Sequence, residues 1–97
     1  MPTYIGLFKL TDKGIQKIKD APARIEEAFK RVEEMGGKLI DFYAVMGEYD
    51  YVGIAEFPSD EAQITFALAL GSRGDTRGMT LKAFSKEEFT KIVEKLP

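Results

Sequence analysis

Two apolar runs lie close together in the middle of the chain, and the link between them constrains the fold more than any other feature. Lys38–Met46 and Tyr51–Phe57 are rich in β-branched and aromatic residues, the composition of strands. Only Gly47-Glu48-Tyr49-Asp50 separates them. A link that short joins antiparallel neighbours, because parallel strands need a crossover of about a dozen residues or more. The centre of the chain therefore reads as a hairpin.

The flanking segments complete the plan. Thr3–Leu10 reads as a strand. Beyond the polar Thr11-Asp12 step, Ile15 and Ile18 suggest a short helical turn, interrupted near Pro22. Asp20 is placed to cap the main helix, with Pro22 in its first turn. Ile25, Ala28, Phe29, Val32 and Met35 share one helical face. Glu26–Lys30 and Glu27–Arg31 form i,i+4 pairs on the other face. Gly36-Gly37 ends that helix, Gly being the residue that accepts a left-handed cap.

After the hairpin, Pro58 stops the strand and Ser59 can cap a helix from Asp60 to about Gly71. Ile64–Leu70 is apolar nearly all round, which predicts burial on more than one side. Gly71–Arg77 reads as a loop and Gly78–Phe84 as a fourth strand. Ser85-Lys86-Glu87-Glu88 matches a capping box, and Phe89, Ile92, Val93 and Leu96 mark the apolar face of a last helix. The order β-α-β-β-α-β-α is an α+β, ferredoxin-like βαββαβ sandwich with an added C-terminal helix. Residues 1–97 make one domain, since domains run to roughly 100–150 residues.

Helices in this plan cover one sheet face, and the other alternates to polar where it meets water. Here both faces are apolar. Tyr4, Phe8 and Leu10 oppose Ile5 and Leu7. Leu39, Tyr43 and Val45 oppose Ile40, Phe42, Ala44 and Met46, and Val52 and Ile54 oppose Tyr51, Ala55 and Phe57. Something must cover the second face. A second copy, sheet against sheet, is the simplest cover, so a homo-oligomer is expected. The alternative cover is the last helix folded back over part of that face. On this pattern Leu39 and Phe42 sit on opposite faces. A chain this short leaves little room for a deep private cavity, so a binding site is expected under the sheet or between subunits.

Composition removes several kinds of chemistry. The chain has no Cys and no His, so thiol nucleophiles, Ser-His-Asp triads and Cys or His metal sites are excluded. No acidic calcium loop occurs. No cofactor and no metal are expected. The net charge is −2 and no basic stripe stands out, which argues against nucleic acid. The N-terminus reads as no signal peptide, and no apolar stretch approaches the roughly 18 residues of a membrane span. A cytoplasmic location is expected. The lack of Asn and Cys beside many Lys and Glu leans toward a thermophile.

Met46-Gly47-Glu48-Tyr49-Asp50-Tyr51-Val52 resembles the signature of the GYD-domain family of small bacterial and archaeal proteins, with Glu48 inserted in the name tripeptide. Thr11-Asp12-Lys13-Gly14 is similar to its T-x-x-G step. Lys19-Asp20-Ala21-Pro22-Ala23-Arg24 resembles its K-x-x-P-x-R helix entry. Gly74–Phe84 resembles its G-x-x-R-T-x-T-L-x-A-F strand, with Arg77 at the Arg and Gly78 where Thr is usual. The resemblance runs from about residue 3 to 85. It implies the ferredoxin-like fold, paired in the manner of dimeric α+β barrels, and implies no reaction.

Five residues are the candidate ligand-binding site. Glu48, Tyr49 and Asp50 put carboxylates and a phenol at the end of a sheet, where Tyr donates or accepts and Asp serves as a base. Arg73 and Arg77 flank the Gly-rich loop, and a guanidinium suits carboxylate or phosphate. Turn-forming for Gly47 and Asp50, and a salt bridge from Arg77 to Asp75 or Asp50, are the structural readings of the same residues. Asp50 and Arg77 open strands that run the same way, so both belong at one end of the sheet. The leading expectation is an oligomeric module binding a small apolar or anionic molecule at the sheet face or subunit interface. The alternatives are a cofactor-free enzyme using Tyr49, Asp50 and Arg77, and a purely structural interaction subunit.

Overall fold

A computed structural model describes residues 1–97. Strand β1 (Thr3–Leu10) leads through a short helix α1 (Asp12–Gln16) and a 3-10 turn (Ile18–Asp20) into α2 (Ala21–Glu34). Then come β2 (Lys38–Ala44), β3 (Tyr51–Glu56), α3 (Asp60–Arg73), β4 (Thr76–Ala83) and α4 (Lys86–Glu94). The strands form one antiparallel sheet in the order β2-β3-β1-β4. That order, with two crossover helices, is the ferredoxin-like plan.

Local chemistry sets the element ends. Thr11 caps α1 by accepting from the Gly14 amide, and Ser59 caps α3 by accepting from the Ala62 amide. Ser85 and Glu88 form the reciprocal capping box of α4. The backbone bond from Ser85 draws the Glu88 carboxyl below its usual range. Gly36 takes φ 80° after α2, a left-handed value that costs glycine little. Gly37 is fixed for a different reason. A Cβ there would lie 2.6 Å from the Glu56 carbonyl oxygen.

Several expectations change. Asp20 makes no side-chain cap bond, because the 3-10 turn runs directly into α2 and holds Asp20 in helical backbone. Helix α3 continues past Gly71 to Arg73 and stops at Gly74, φ 79°. The loop shortens accordingly, and β4 begins at Thr76. The apolar middle of α3 is buried only at Phe66, while Ile64 and Leu68 are exposed. No element of the chain lies outside α3 to cover them. Glu27 bonds Arg73 of α3 at 3.1 Å.

The largest change is in β2. Its pairing with β3 slips between Leu39 and Asp41. A bulge inserts one unpaired residue and reverses the alternation beyond it. Leu39 and Phe42 therefore face the helices together, and Ile40 is exposed. Tyr43 is turned away to the open side, where it bonds Asp41.

The core between sheet and helices is thin. Tyr4, Val32, Phe57 and Phe66 form its buried cluster, flanked by Ala28, Met35 and Leu70. Tyr4 meets Phe57 edge-on at 5.8 Å, and Phe57 meets Phe66 at 5.4 Å. Only five residues of 97 are buried, and large apolar side chains such as Met46, Leu68 and Phe89 are exposed. Helix α4 keeps Phe89, Ile92 and Val93 exposed, as Leu96 just past its end is, and so leaves its own apolar face unburied.

Candidate functional site

The helix-facing side of the sheet is built from every second residue of β1 and β3: Tyr4, Gly6, Phe8 and Leu10, then Tyr51, Gly53 and Ala55. Three of these floor positions are glycines once Gly78 of β4, the partner of Phe8, is added. A Cβ at Gly6 would lie 2.6 Å from the Phe8 ring and one at Gly78 2.9 Å from it. Gly53 sits 3.8 Å from the same ring by that measure. The Phe8 ring thus lies down across a bare patch of sheet. Glycine in a strand interior commonly marks such a close approach.

Above that floor a cavity of about 150 Å³ remains between the sheet and helices α2 and α3. Its walls include Phe29 and Phe42, with rings 5.4 Å apart, and Phe66. The cavity therefore lies under the sheet, inside one chain, despite the chain's length.

One polar cluster of the lining centres on Asp75, in the turn between α3 and β4, and Gln63 donates to Thr80 at 3.0 Å apart from it. Arg24 of α2 donates to Asp75 Oδ2. The Asp75 backbone oxygen accepts from the Thr11 amide at 3.0 Å and the Thr11 hydroxyl at 3.1 Å. The same hydroxyl bonds the Gly74 oxygen at 2.6 Å. Gly14 packs so closely that a Cβ there would lie 2.2 Å from the Asp75 oxygen. The second carboxylate oxygen, Oδ1, is buried and has no hydrogen-bond partner. Lys17 and Arg73 also line this cavity.

These residues were missed by the sequence reading. The T-x-x-G, K-x-x-P-x-R and Gly74-Asp75 segments were each visible in the sequence. Nothing in their spacing said that Thr11, Gly14, Arg24 and Asp75 converge on one point.

The five sequence-derived site residues fall into separate contacts. Glu48 pairs with Lys9 at 3.5 Å, and the Lys9 ammonium lies 5.4 Å over the Tyr49 ring. Asp50 accepts from the Leu10 amide at 2.8 Å, and its own amide donates to the Phe8 carbonyl at 2.8 Å. It thereby ties the hairpin to β1. Arg73 bonds Glu27. Arg77 donates to the Gly71 carbonyl at 3.1 Å. It does not pair with Asp75, which Arg24 already holds, nor with Asp50. Arg77 stands opposite Lys9 in the register, which sets Asp50 and Arg77 at the same end of the sheet.

At the other end, Tyr4 donates to Asp60, which Lys82 also approaches at 3.0 Å. Burial first, then the Asp60 carboxylate, pushes the Tyr4 phenol up to about 12. The bond from Tyr4, reinforced by Lys82, lowers the Asp60 carboxyl.

The open sheet face carries two apolar rows. Tyr43, Val52, Leu7 and Met79 form one across four strands, and Ile54, Ile5 and Leu81 form the other across three. Met79 and Leu81 are exposed and the other aliphatic members are half-buried. Lys9 and Arg77 bound the rows at one end, and Glu56 lies at the other. No cluster of metal-ligating side chains occurs, and no helix is long and apolar enough to cross a membrane.

The family model of the GYD domain matches residues 4–93. The chain is 41% identical over 85 residues to the glutamine synthetase and cystathionine beta-lyase binding protein of Thermus thermophilus, covering 86% of this chain and 88% of that one. A solved structure of the leucine response regulatory protein LrpA of Mycobacterium tuberculosis superposes with a TM-score of 0.49 at 18% identity. It covers 88% of this chain, which spans 53% of that one.

Proposed function

Because this chain belongs to the GYD-domain family, we propose that it is an oligomeric protein-interaction module. The observation that carries the reading is the open sheet face with its two apolar rows. An apolar surface of that extent normally marks an interface. A second copy fits it. With its strands reversed, the copy would bring its Glu56 toward Lys9 and Arg77 and bury the rows between, as an isologous pair requires. Glu48 and Tyr49, held by Lys9, form the polar rim of that face, and Asp50 fixes the rim to β1.

The Thermus thermophilus relative is named for binding two enzymes, and we carry that class of partner to this chain: a metabolic enzyme docked on the assembled module. Isothermal titration with purified glutamine synthetase and cystathionine beta-lyase from the same organism tests it. Saturable heat with at least one enzyme supports the reading, and none with either removes this class of partner.

A second reading, that the module also holds a small molecule, is favoured by the cavity between the sheet and helices α2 and α3. An apolar cavity of about 150 Å³ is of the size that admits a benzene-sized guest.

A further inference from the structure

We infer that α4 is an arm that clasps a second copy of this chain, its apolar face seated on the tip of that copy's β2–β3 hairpin. The inference rests on the face-to-face pairing proposed above and adds what the last helix does in it.

Helix α4 has no partner within its own chain. Every residue from Phe84 to Pro97 is exposed, and α4 packs along none of the other elements. The chain is correspondingly long, 53 × 30 × 19 Å, with a radius of gyration of 14.8 Å against about 12.5 Å for a compact chain of this length. Yet α4 is made as a packed helix is. Its capping box is complete, and Phe89, Ile92, Val93 and Leu96 recur at helical spacing, the stripe of a helix that meets a neighbour. Its nine residues are fewer than the roughly 12–15 at which an isolated helix becomes even marginal in water. Packing of that stripe supplies the difference.

The topology selects the surface it reaches. Strand β4 runs from Thr76, at the hairpin end of the sheet, to Ala83, opposite Thr3 at the other end, and α4 leaves from there. In a pair with strands reversed, the second copy's hairpin lies at that same end. Val45 and Met46 stand at its tip, both exposed, Met46 fully. A nine-residue helix is about 14 Å long, enough to cross the ~10 Å between packed sheets. The two-fold axis makes the contact twice. Ile64 and Leu68 of α3 are also exposed, but α3 lies on the helix side of the sheet, away from the paired face. Area favours the clasp too. Four strands of up to eight residues give the sheet face a footprint of about 500 Å², where each partner of a standard interface contributes roughly 800 Å² of accessible surface. Charge does not oppose it. Residues 86–95 carry three acids and three lysines, and Glu48 at the hairpin tip is paired with Lys9.

The test is disulfide cross-linking and sedimentation of the full chain, which has no Cys of its own. Within one chain, positions 46 and 93 lie beyond opposite ends of a sheet about 27 Å long, whereas a disulfide needs Cα atoms within ~7 Å. A bond between them therefore joins two copies. Under mild oxidation Met46→Cys/Val93→Cys is expected to run as a covalent dimer on a non-reducing gel, and each single variant as the monomer. Phe89→Ser is expected to raise the dimer dissociation constant at least tenfold, and Met46→Ser, on the other side of the contact, to do likewise. A wild type that is monomeric removes the sheet pairing and the clasp together. A wild-type dimer whose double variant does not cross-link, or whose affinity neither serine variant lowers, leaves the pairing standing and overturns the clasp. Cross-linking of Val93→Cys alone would show the arms meeting each other and also overturns it, as would cross-linking of Leu68→Cys/Val93→Cys in place of the hairpin pair.

Discussion

Arg24 and Asp75, 51 residues apart in the chain, are joined by an ion pair that uses one oxygen of the carboxylate and leaves the other buried and unpartnered. The pair ties α2 to the turn before β4 and so closes one side of the cavity. Asp75 keeps only 14% of its side chain exposed and Arg24 34%. Removing the cation strands a mostly buried charge, a larger loss than a surface pair would show. Arg24→Ala should therefore cost about 1–3 kcal/mol. Urea denaturation measures it, and a change below about 0.5 kcal/mol, the size of an ordinary surface substitution, would contradict the role given to the pair.

Gly14 and Gly53 should respond in opposite directions. At Gly14 a new Cβ runs into the Asp75 backbone oxygen at 2.2 Å, and backbone cannot turn aside as a side chain can. Gly14→Ala should cost about 1–3 kcal/mol by overpacking. At Gly53 the nearest atom is a Phe8 ring carbon at 3.8 Å, an ordinary contact. Gly53→Ala should be neutral or stabilising by up to about 1 kcal/mol, because it restricts the unfolded chain. Thermal denaturation of both variants checks the contrast, and equal effects would remove it.

Asp50 is a structural acceptor in this account. Asp50→Ala leaves the Leu10 amide without its partner at 2.8 Å. A loss of about 1–2 kcal/mol is expected, with Asp50→Asn recovering part of it, because the amide oxygen can still accept. Chemical denaturation with unchanged midpoints for both variants would reject the link.

Alkaline pH should loosen the end of the sheet at Tyr4. The phenol titrates near 10 when unfolded and about 12 when folded. The folded state thus holds its proton more tightly. The stability this gives is full below pH 10 and is lost as the pH rises toward about 12. Stability of the wild type should fall across that window more steeply than that of Tyr4→Phe, which has no phenol to ionise. Parallel slopes for the two chains would contradict the burial and Asp60 contact inferred for Tyr4.

Much of the fold was legible because its determinants are local. The span of β1, the capping box at Ser85, the glycine stop of α2 and the apolar face from Ile25 to Met35 each depend on residues a few positions apart. The bulge at Ile40 was not legible. An extra residue in a strand is set by pairing with β3, and without it the regular alternation puts Leu39 and Phe42 on opposite faces. The cavity was hidden for a similar reason. Gly6, Gly53 and Gly78 belong to three strands, and only their adjacency in the sheet makes a floor. Glu48, Tyr49 and Asp50 were visible as a polar hairpin end, but Arg24 and Asp75 meet only after two crossovers. For α3, composition alone suggested burial on more than one side. The exposure of Ile64 and Leu68 reflects the number of layers in one chain, which local sequence does not encode.

The central claim, that the open sheet face closes on a second copy, is tested most directly by sedimentation equilibrium at micromolar concentration. Val52 lies in the middle of the apolar row between Tyr43 and Leu7. A lysine there places a charge in the proposed interface and leaves the helix side untouched. The wild type should sediment as a multiple of the 10.9 kDa chain, and Val52→Lys should sediment as the folded monomer, with its circular dichroism unchanged. A wild type that is monomeric throughout, or a folded Val52→Lys that assembles as the wild type does, would contradict the claim.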